Sequence, residues 1–355
     1  MKVILSGGGT AGSVMPLLAI YSEIKKQRGD TEFLFIGTRK GEPEKKILSS
    51  YHIPFRPIFG GKLRRYFDLR NISDILLILI GFIQSIYIIL KFRPDVVMGA
   101  GGFISVPVIW AAWVLQKKII IHQQDIKPSL SNILTMNLAH KITVTFERSL
   151  RNFPAGKTIW TGNPVRSDII EGNRQRAYER FALKPDIPLV LIMGGGTGAL
   201  SVNTIVNQAL PELIKFCQII HLTGVGKKVT GIASEQYQQF EFLEEEMKDV
   251  LVAADLVVSR AGLSVLTEFS ILGKPVILIP LPKSHQEENA EYFSEKGAAK
   301  VIHQKNLSPR ILVSKVKELL NDKAALNILS SKIGKMTKPQ ATAMIVEQIF
   351  NLVKQ

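Results

Sequence analysis

The sequence predicts an α/β protein built on two doubly wound parallel sheets. Apolar runs of strand length alternate with stretches of helical length along the chain, and runs that are apolar on both faces belong to parallel sheets covered by helices. The opening run passes directly into the glycine turn GGGTAG (7–12), and LVLIMGGGTGAL (189–200) repeats that strand, turn and helix. With 355 residues the chain exceeds one typical domain and suits two.

The first series of strands is expected at 2–6, 32–36, 95–98, 119–122 and 141–144. The second falls at 189–193, 218–222, 256–259, 275–279 and 299–302. The join belongs near 162–173, after GNPVR, where apolar residues give way to polar ones. This divides the chain into 1–165 and 166–340, two Rossmann-like domains. A last helix begins near Ala341; whether 341–355 returns to the first domain stays open.

The stretch 62–93 stands apart. GKLRRYFDLR carries Lys62, Arg64 and Arg65 with Leu63, Tyr66 and Phe67 among them. An apolar helix containing Ile75, Leu79 and Phe82 follows. Its apolar core, 75–90, has 16 residues, interrupted by Gln84 and Ser85. A spanning helix needs about 20. It reads as a helix packed on the sheet, with an outer face that either dips into a membrane surface or is buried.

Charge is unevenly distributed. Net charge is +15; residues 1–170 hold 23 Lys+Arg against 11 Asp+Glu, and residues 171–355 hold 22 against 19. A basic first half calls for an anionic partner. Because the cations gather beside an apolar helix, an anionic membrane surface fits better than nucleic acid. One cysteine excludes an internal disulfide and fits a reducing compartment. No signal peptide is expected, since the apolar start is only a strand long.

Glycine turns of this kind hold phosphates. The first satisfies GxGxxG, but the second strand ends Phe35, Ile36, Gly37, Thr38, Arg39 without the acid that would hold a nucleotide ribose. An NADP site using Arg39 is the formal alternative, and neither turn is a P-loop. In the second half, SRAGLSVLTEF (259–269) sets Arg260 at a strand end and Glu268 about two turns into a helix. A carboxylate there can grip both hydroxyls of a ribose. HQEENAEYF (285–293) brings His285, Gln286 and Asn289 to another strand-to-helix turn, at the carboxyl edge where ligands bind. The plain structural alternatives are a solvated helix acid for Glu268 and a turn residue for Asn289.

The order GGGTAG (7–12), GKLRRY (61–66), PDVVMGAGGFISVP (94–107), HQQD (122–125), TGNPVR (161–166), GGGTGA (194–199), SRAG with TE (259–268) and HQEENA (285–290) resembles the MurG family nearly end to end. That family has the GT-B fold, two Rossmann-like domains facing across a cleft. The resemblance implies inverting transfer of N-acetylglucosamine from UDP-GlcNAc to the muramoyl C4 hydroxyl of lipid I, giving lipid II. It implies no metal or other cofactor, a place on the cytoplasmic face of the cell membrane, and contact with other cell-wall enzymes. On the donor side it implies Arg166 with Gly195, Gly196, Thr197 and Gly198 at the diphosphate, and Glu268 at the ribose. Gln286 and His285 would meet the sugar, the backbone at Phe242 the uracil, and Arg260 and Asn289 complete the set. On the acceptor side it implies Gly8, Gly9, Thr10, Ala11, Gly12 and Ser13 around the lipid diphosphate, with Gly101, Gly102 and Gln124.

The family pattern has a histidine where Ser13 stands, HEQN where this chain has HQQD, and GGSQGA where it has GGGTGA. Inverting transfer needs a base near the acceptor hydroxyl, and Ser13 cannot serve. Asp125 and His122 are the remaining candidates, with a loop cap and a core histidine as their structural alternatives. A different lipid-linked acceptor, or a module that binds UDP-sugar without transferring it, is the second functional reading.

Overall fold

The computed structural model describes the chain except Thr10, 40–43, 63–69, 195–197, 229–233 and Gln355, and the side chains of residues 11, 46, 70–72 and 167. The sites expected at Thr10, Leu63, Arg64, Arg65, Tyr66, Phe67, Gly195, Gly196 and Thr197, and at the side chain of Ala11, lie outside the described residues.

The chain divides into two compact units, Met1–Arg166 with Lys338–Gln355, and Ser167–Thr337. In the first, β1 (Lys2–Ser6), β2 (Glu32–Thr38), β3 (Phe55–Ile58), β4 (Val96–Gly99), β5 (Lys118–Gln123), β6 (Lys141–Val144) and β7 (Thr158–Trp160) form a parallel sheet. Its order is β3-β2-β1-β4-β5-β6-β7. In the second, β8 (Leu189–Met193), β9 (Gln218–Leu222), β10 (Tyr237–Phe240), β11 (Leu256–Ser259), β12 (Val276–Leu278) and β13 (Lys300–Val301) run in the order β10-β9-β8-β11-β12-β13, again all parallel. Each sheet reverses its winding beside the strand that carries a glycine turn: β1 lies next to β4, and β8 next to β11. That reversal is the topological switch point, where a parallel sheet opens a crevice at its carboxyl edge.

Strand periodicity explains the layers. Val3 and Leu5 face helices Ala11–Gln27 and Ala341–Lys354, whose Leu17, Ile20, Ile345 and Ile349 share their core. Ile4 points the other way, into a core with Ile89, Val108 and Ile109. The C-terminal helix is thus a structural layer of the first unit. In the second unit Val190 and Ile192 meet Val202, Val206 and Leu210 of helix Leu200–Leu213 and Leu312 and Val316 of helix Pro309–Asn321. Cys217 is fully buried in this core; its Sγ donates to the Leu213 carbonyl, and burial pushes the thiol up to about 12.

Helix Arg70–Phe92 is long: its window Ser73–Phe92 covers 20 residues at mean hydropathy 2.4. One stripe, with Ile78, Ser85 and Ile89, is buried against the domain, and the Ser85 hydroxyl donates back to the Gly81 carbonyl. The helix therefore belongs to the α/β layer by one face. The opposite face exposes Ile75, Leu76, Leu79, Ile80, Ile83, Tyr87 and Leu90, the last three at successive helical turns. Phe82, expected on that outer face, is half-buried and packs against the inner core, because its position falls on the flank of the stripe. Lys62 is exposed at the end of the preceding segment.

Candidate active site

In the first unit three loops meet at the carboxyl edge, following β1, β4 and β5. Gly9 adopts φ +88° and Gly102 φ +79°, both left-handed. A side chain at Gly102 would strike the Gly8 carbonyl, so the first two loops touch backbone to backbone. The Phe103 ring packs over Gly9. The third loop is tied to the second by Gln124, whose Nε2 donates to the Ala100 carbonyl at 3.2 Å.

The loop carrying Asp125 is held from inside by Gln123. Its Nε2 donates to the carbonyls of Asp125 (2.7 Å) and Lys127 (2.9 Å). Its Oε1 accepts from the Ser129 N–H and from Asn132 Nδ2. Asp125 is half-buried on this braced turn, which follows β5 at the carboxyl edge of the sheet.

His122 takes the place of a core histidine. It is fully buried; Nδ1 lies 2.9 Å from Thr143 Oγ1 and Nε2 3.0 Å from Asn163 Oδ1. Burial drives its pKa down to about 4, so it is a neutral core residue with both ring nitrogens engaged. Gly9 also departs from expectation. Its N–H donates to Glu44 Oε1 at 2.5 Å, so an internal carboxylate already occupies it. Arg39 stacks on the Phe59 ring, 4.3 Å from its centroid.

In the second unit the turn after β8 packs on the loop after β9: a side chain at Gly198 (φ +69°) would strike the Thr223 carbonyl. Lys227, on that same loop, donates from Nζ to the Gly198 carbonyl at 3.3 Å. Asn203 Nδ2 donates to the carbonyls of Thr223 (2.9 Å) and Lys227 (3.3 Å). Its Oδ1 lies 3.2 Å from His221 Nε2. Helix Leu200–Leu213 thus holds the loop that brings an ammonium group to the glycine turn at its own N-terminus. A helix N-terminus with a cation beside it is a site for phosphate.

Glu268 is 8% exposed in helix Leu263–Ile271, which starts after the turn following β11. Gln286 Oε1 accepts from the Leu281 N–H at 3.1 Å, and His285 is exposed at the start of helix His285–Glu295. Phe242 is exposed after β10. Arg166 is half-buried at the last residue of the first unit.

Two expected donor contacts have other duties. Arg260 is 5% exposed, and its guanidinium donates to the carbonyls of Ile279 (2.9 Å) and Pro280 (3.0 Å), to Ser201 Oγ (3.1 Å) and to Gln304 Oε1 (2.7 Å). It braces β11, β12 and the glycine-turn helix together. Asn289 is fully buried, and its Nδ2 donates to the Ala261 carbonyl at 3.2 Å. It fastens the turn that leads to Glu268.

Sequence reasoning missed Glu44, Gln123, Asn132, Asn203 and Lys227. Only Lys227 carried a local signal, a lysine in the glycine-flanked stretch LTGVGKK (222–228).

The glycosyltransferase family 28 N-terminal domain matches residues 3–144, and the family's C-terminal domain matches residues 189–345. This chain belongs to glycosyltransferase family 28. Family 28 here takes its GT-B form, one parallel-sheet domain per unit. The relatives place the chain among the MurG enzymes of that family. A protein of Bacillus thuringiensis (strain Al Hakam) is 39% identical over 93% of this chain and 95% of its own length. Its name is UDP-N-acetylglucosamine--N-acetylmuramyl-(pentapeptide) pyrophosphoryl-undecaprenol N-acetylglucosamine transferase 3. A protein of Lachnospira eligens with the same transferase name, unnumbered, is 36% identical over 99% of this chain and 98% of its own. Among solved structures, Acinetobacter baumannii MurG has the same fold, with TM-score 0.74, 24% identity and 99% of each chain covered. The fold is shared more widely: a Neisseria meningitidis UDP-GlcNAc 2-epimerase bound to UDP-GlcNAc has TM-score 0.72 at 15% identity, over 99% of this chain and all of that one.

Proposed function

We propose that this family-28 chain moves N-acetylglucosamine from UDP-GlcNAc to the muramoyl C4 hydroxyl of lipid I, with inversion, to give lipid II. The observation that carries the reading is the second unit's switch point. There the glycine turn, the N-terminus of helix Leu200–Leu213 and Lys227 converge, with the turn leading to Glu268 beside them. The leaving group is a diphosphate, and N–H donors, a helix dipole and an ammonium stabilise the charge it gains. Arg166 adds a guanidinium to that diphosphate, Glu268 accepts from the ribose hydroxyls, and Gln286 and His285 meet the sugar. The backbone after β10 at Phe242 receives uracil.

In the reaction the C4 oxygen attacks the anomeric carbon from the face opposite the diphosphate. The bond to the diphosphate breaks as the new glycosidic bond forms, and the C4 proton leaves to a base. Asp125 is that base in this reading: it is the carboxylate on the braced loop of the acceptor unit, and the burial of His122 supports choosing Asp125 over it. Gly8, Gly12 and Ser13 of the first loop and helix, with Gly101, Gly102 and Gln124, shape the acceptor side.

The chain works at the cytoplasmic face of the membrane. The exposed stripe of helix Arg70–Phe92 is one support, joined by exposed Trp113 and Val114 on the neighbouring helix Ser105–Val114. The other is the excess of cations over anions in the first half. Apolar side chains enter the interface while cations meet lipid phosphates.

The test is incubation with radiolabelled UDP-GlcNAc and a short-chain lipid I analogue. Labelled disaccharide lipid supports the transferase. Intact UDP-GlcNAc binding without product favours the second reading, another lipid-linked acceptor or a module that binds UDP-sugar without transferring it, which rests on Ser13.

A further inference from the structure

Glu44 lies under the first glycine turn, and its charge has no evident reason to be there. It follows β2 and opens the short helix Glu44–Ser49, yet it is fully buried. Burying a carboxylate is costly unless hydrogen bonds replace its water. Here Oε1 accepts from the Gly9 N–H at 2.5 Å and Oε2 from Thr38 Oγ1 at 3.1 Å, and Thr38 is itself 8% exposed. Gly8 leaves just enough room: a side chain there would strike Glu44 Oε1. On its other side Gly9 meets the Phe103 ring. The turn is therefore clamped between a carboxylate and an aromatic ring, with Gly9 in its left-handed conformation.

Two consequences follow from elementary electrostatics. The Gly9 N–H, which a bare glycine turn would offer to a phosphate, is already bound to an internal anion. A second anion placed at the same N–H would stand within a few ångströms of the first and be repelled. The diphosphate must then be received further along, at the N-terminus of helix Ala11–Gln27, whose dipole favours it. We infer that Glu44 is a positioning residue for the acceptor: by holding Gly9 it aims that helix N-terminus at the lipid-linked diphosphate. The inference rests on the proposed acceptor role of the first unit. Glu44 touches no reacting atom, and its influence passes through Gly9.

The test compares steady-state kinetics of the full chain carrying Glu44→Ala, Glu44→Gln or Thr38→Val, with the lipid I analogue and UDP-GlcNAc varied in turn. Losing a hydrogen bond to a charged group corresponds to roughly 10-fold or more. Glu44→Ala is expected to raise the acceptor KM by about that factor while the donor KM stays within about 2-fold. Glu44→Gln keeps an acceptor oxygen for Gly9, and the Thr38 hydroxyl can turn to accept from the amide. It should restore the acceptor KM to within about 3-fold of the parent. Thr38→Val should fall between the two. A lower melting temperature alone, or donor and acceptor KM rising together, assigns Glu44 to general stability and overturns the inference. If the parent chain transfers and Glu44→Ala leaves the acceptor KM unchanged, the inference alone fails. If the parent chain does not transfer to lipid I, the acceptor reading fails and takes the inference with it.

Discussion

Thr342 closes a two-way clasp on Val165: its Oγ1 accepts from the Val165 N–H at 3.3 Å and donates to the Val165 carbonyl at 3.1 Å. The contact joins residues 177 apart in the chain. It sits where the chain leaves the first unit and where it returns. Lys338 completes the junction by donating to the Trp160 carbonyl at 2.9 Å, with its ammonium 3.7 Å from the centre of the Trp160 ring. Gly162, at φ +84°, lies against Ala341 and Lys338.

Because Val165 precedes Arg166, the clasp also fixes where that guanidinium starts. Thr342→Val keeps the shape and removes both hydrogen bonds, at a cost of about 1–2 kcal/mol. The expected result is a lower melting temperature and a donor KM raised several-fold, with Thr342→Ser close to the parent. An unchanged donor KM in Thr342→Val would detach the clasp from Arg166.

Asp125→Asn removes the proposed base while leaving the brace from Gln123, which bonds only the Asp125 backbone. Loss of a general base should lower kcat by about 10²–10⁴-fold with little change in either KM. Full activity in the variant would remove Asp125 from the chemistry.

Two buried histidines set an acid limit on stability. His122 and His221 both lie near pKa 4 because burial disfavours their charged forms. In the unfolded chain they titrate near 6.5. Between those values the unfolded state binds protons that the folded state refuses, so stability falls as pH drops from about 6.5 toward 4. Each histidine can withdraw about 3 kcal/mol across that window. Above pH 7 neither contributes to the slope. Chemical unfolding followed from pH 7 to 5 should show the decline, and His122→Gln should flatten it.

Ile83→Glu with Tyr87→Glu places two charges on the outer stripe of helix Arg70–Phe92, where both parent residues are 66% exposed. Co-sedimentation with anionic phospholipid vesicles should be lost, while the melting temperature stays within a few degrees because no buried contact is removed. Vesicle binding that survives both charges would move the membrane contact elsewhere.

The ten strands read from apolar runs are present; nine are mostly buried, which leaves a nearly unbroken apolar signature, while Lys300–Val301 is a two-residue edge strand that is half-buried or exposed. Three further strands went unread. Phe55–Ile58 and Tyr237–Phe240 are edge strands with mostly half-buried or exposed residues, and Thr158–Trp160 is a three-residue edge. Such strands bury too little to carry a period. Glycine turns and the Glu268 helix were legible because turn chemistry is local. Glu44 was not: the ribose acid looked for at the end of β2 is absent, and the acid six residues beyond Thr38 turns inward to the glycine loop. Asn203 and Asn289 act on partners 20 and 28 residues away that only the fold brings near.

The single cysteine closes with a practical consequence. Cys217 is sealed in the second unit's core, and its thiolate is suppressed at neutral pH. The folded chain therefore offers maleimides and iodoacetamides no accessible thiol. A cysteine introduced on the exposed stripe, or beside the glycine turns, becomes a unique attachment point for a fluorophore or spin label without first rebuilding the scaffold.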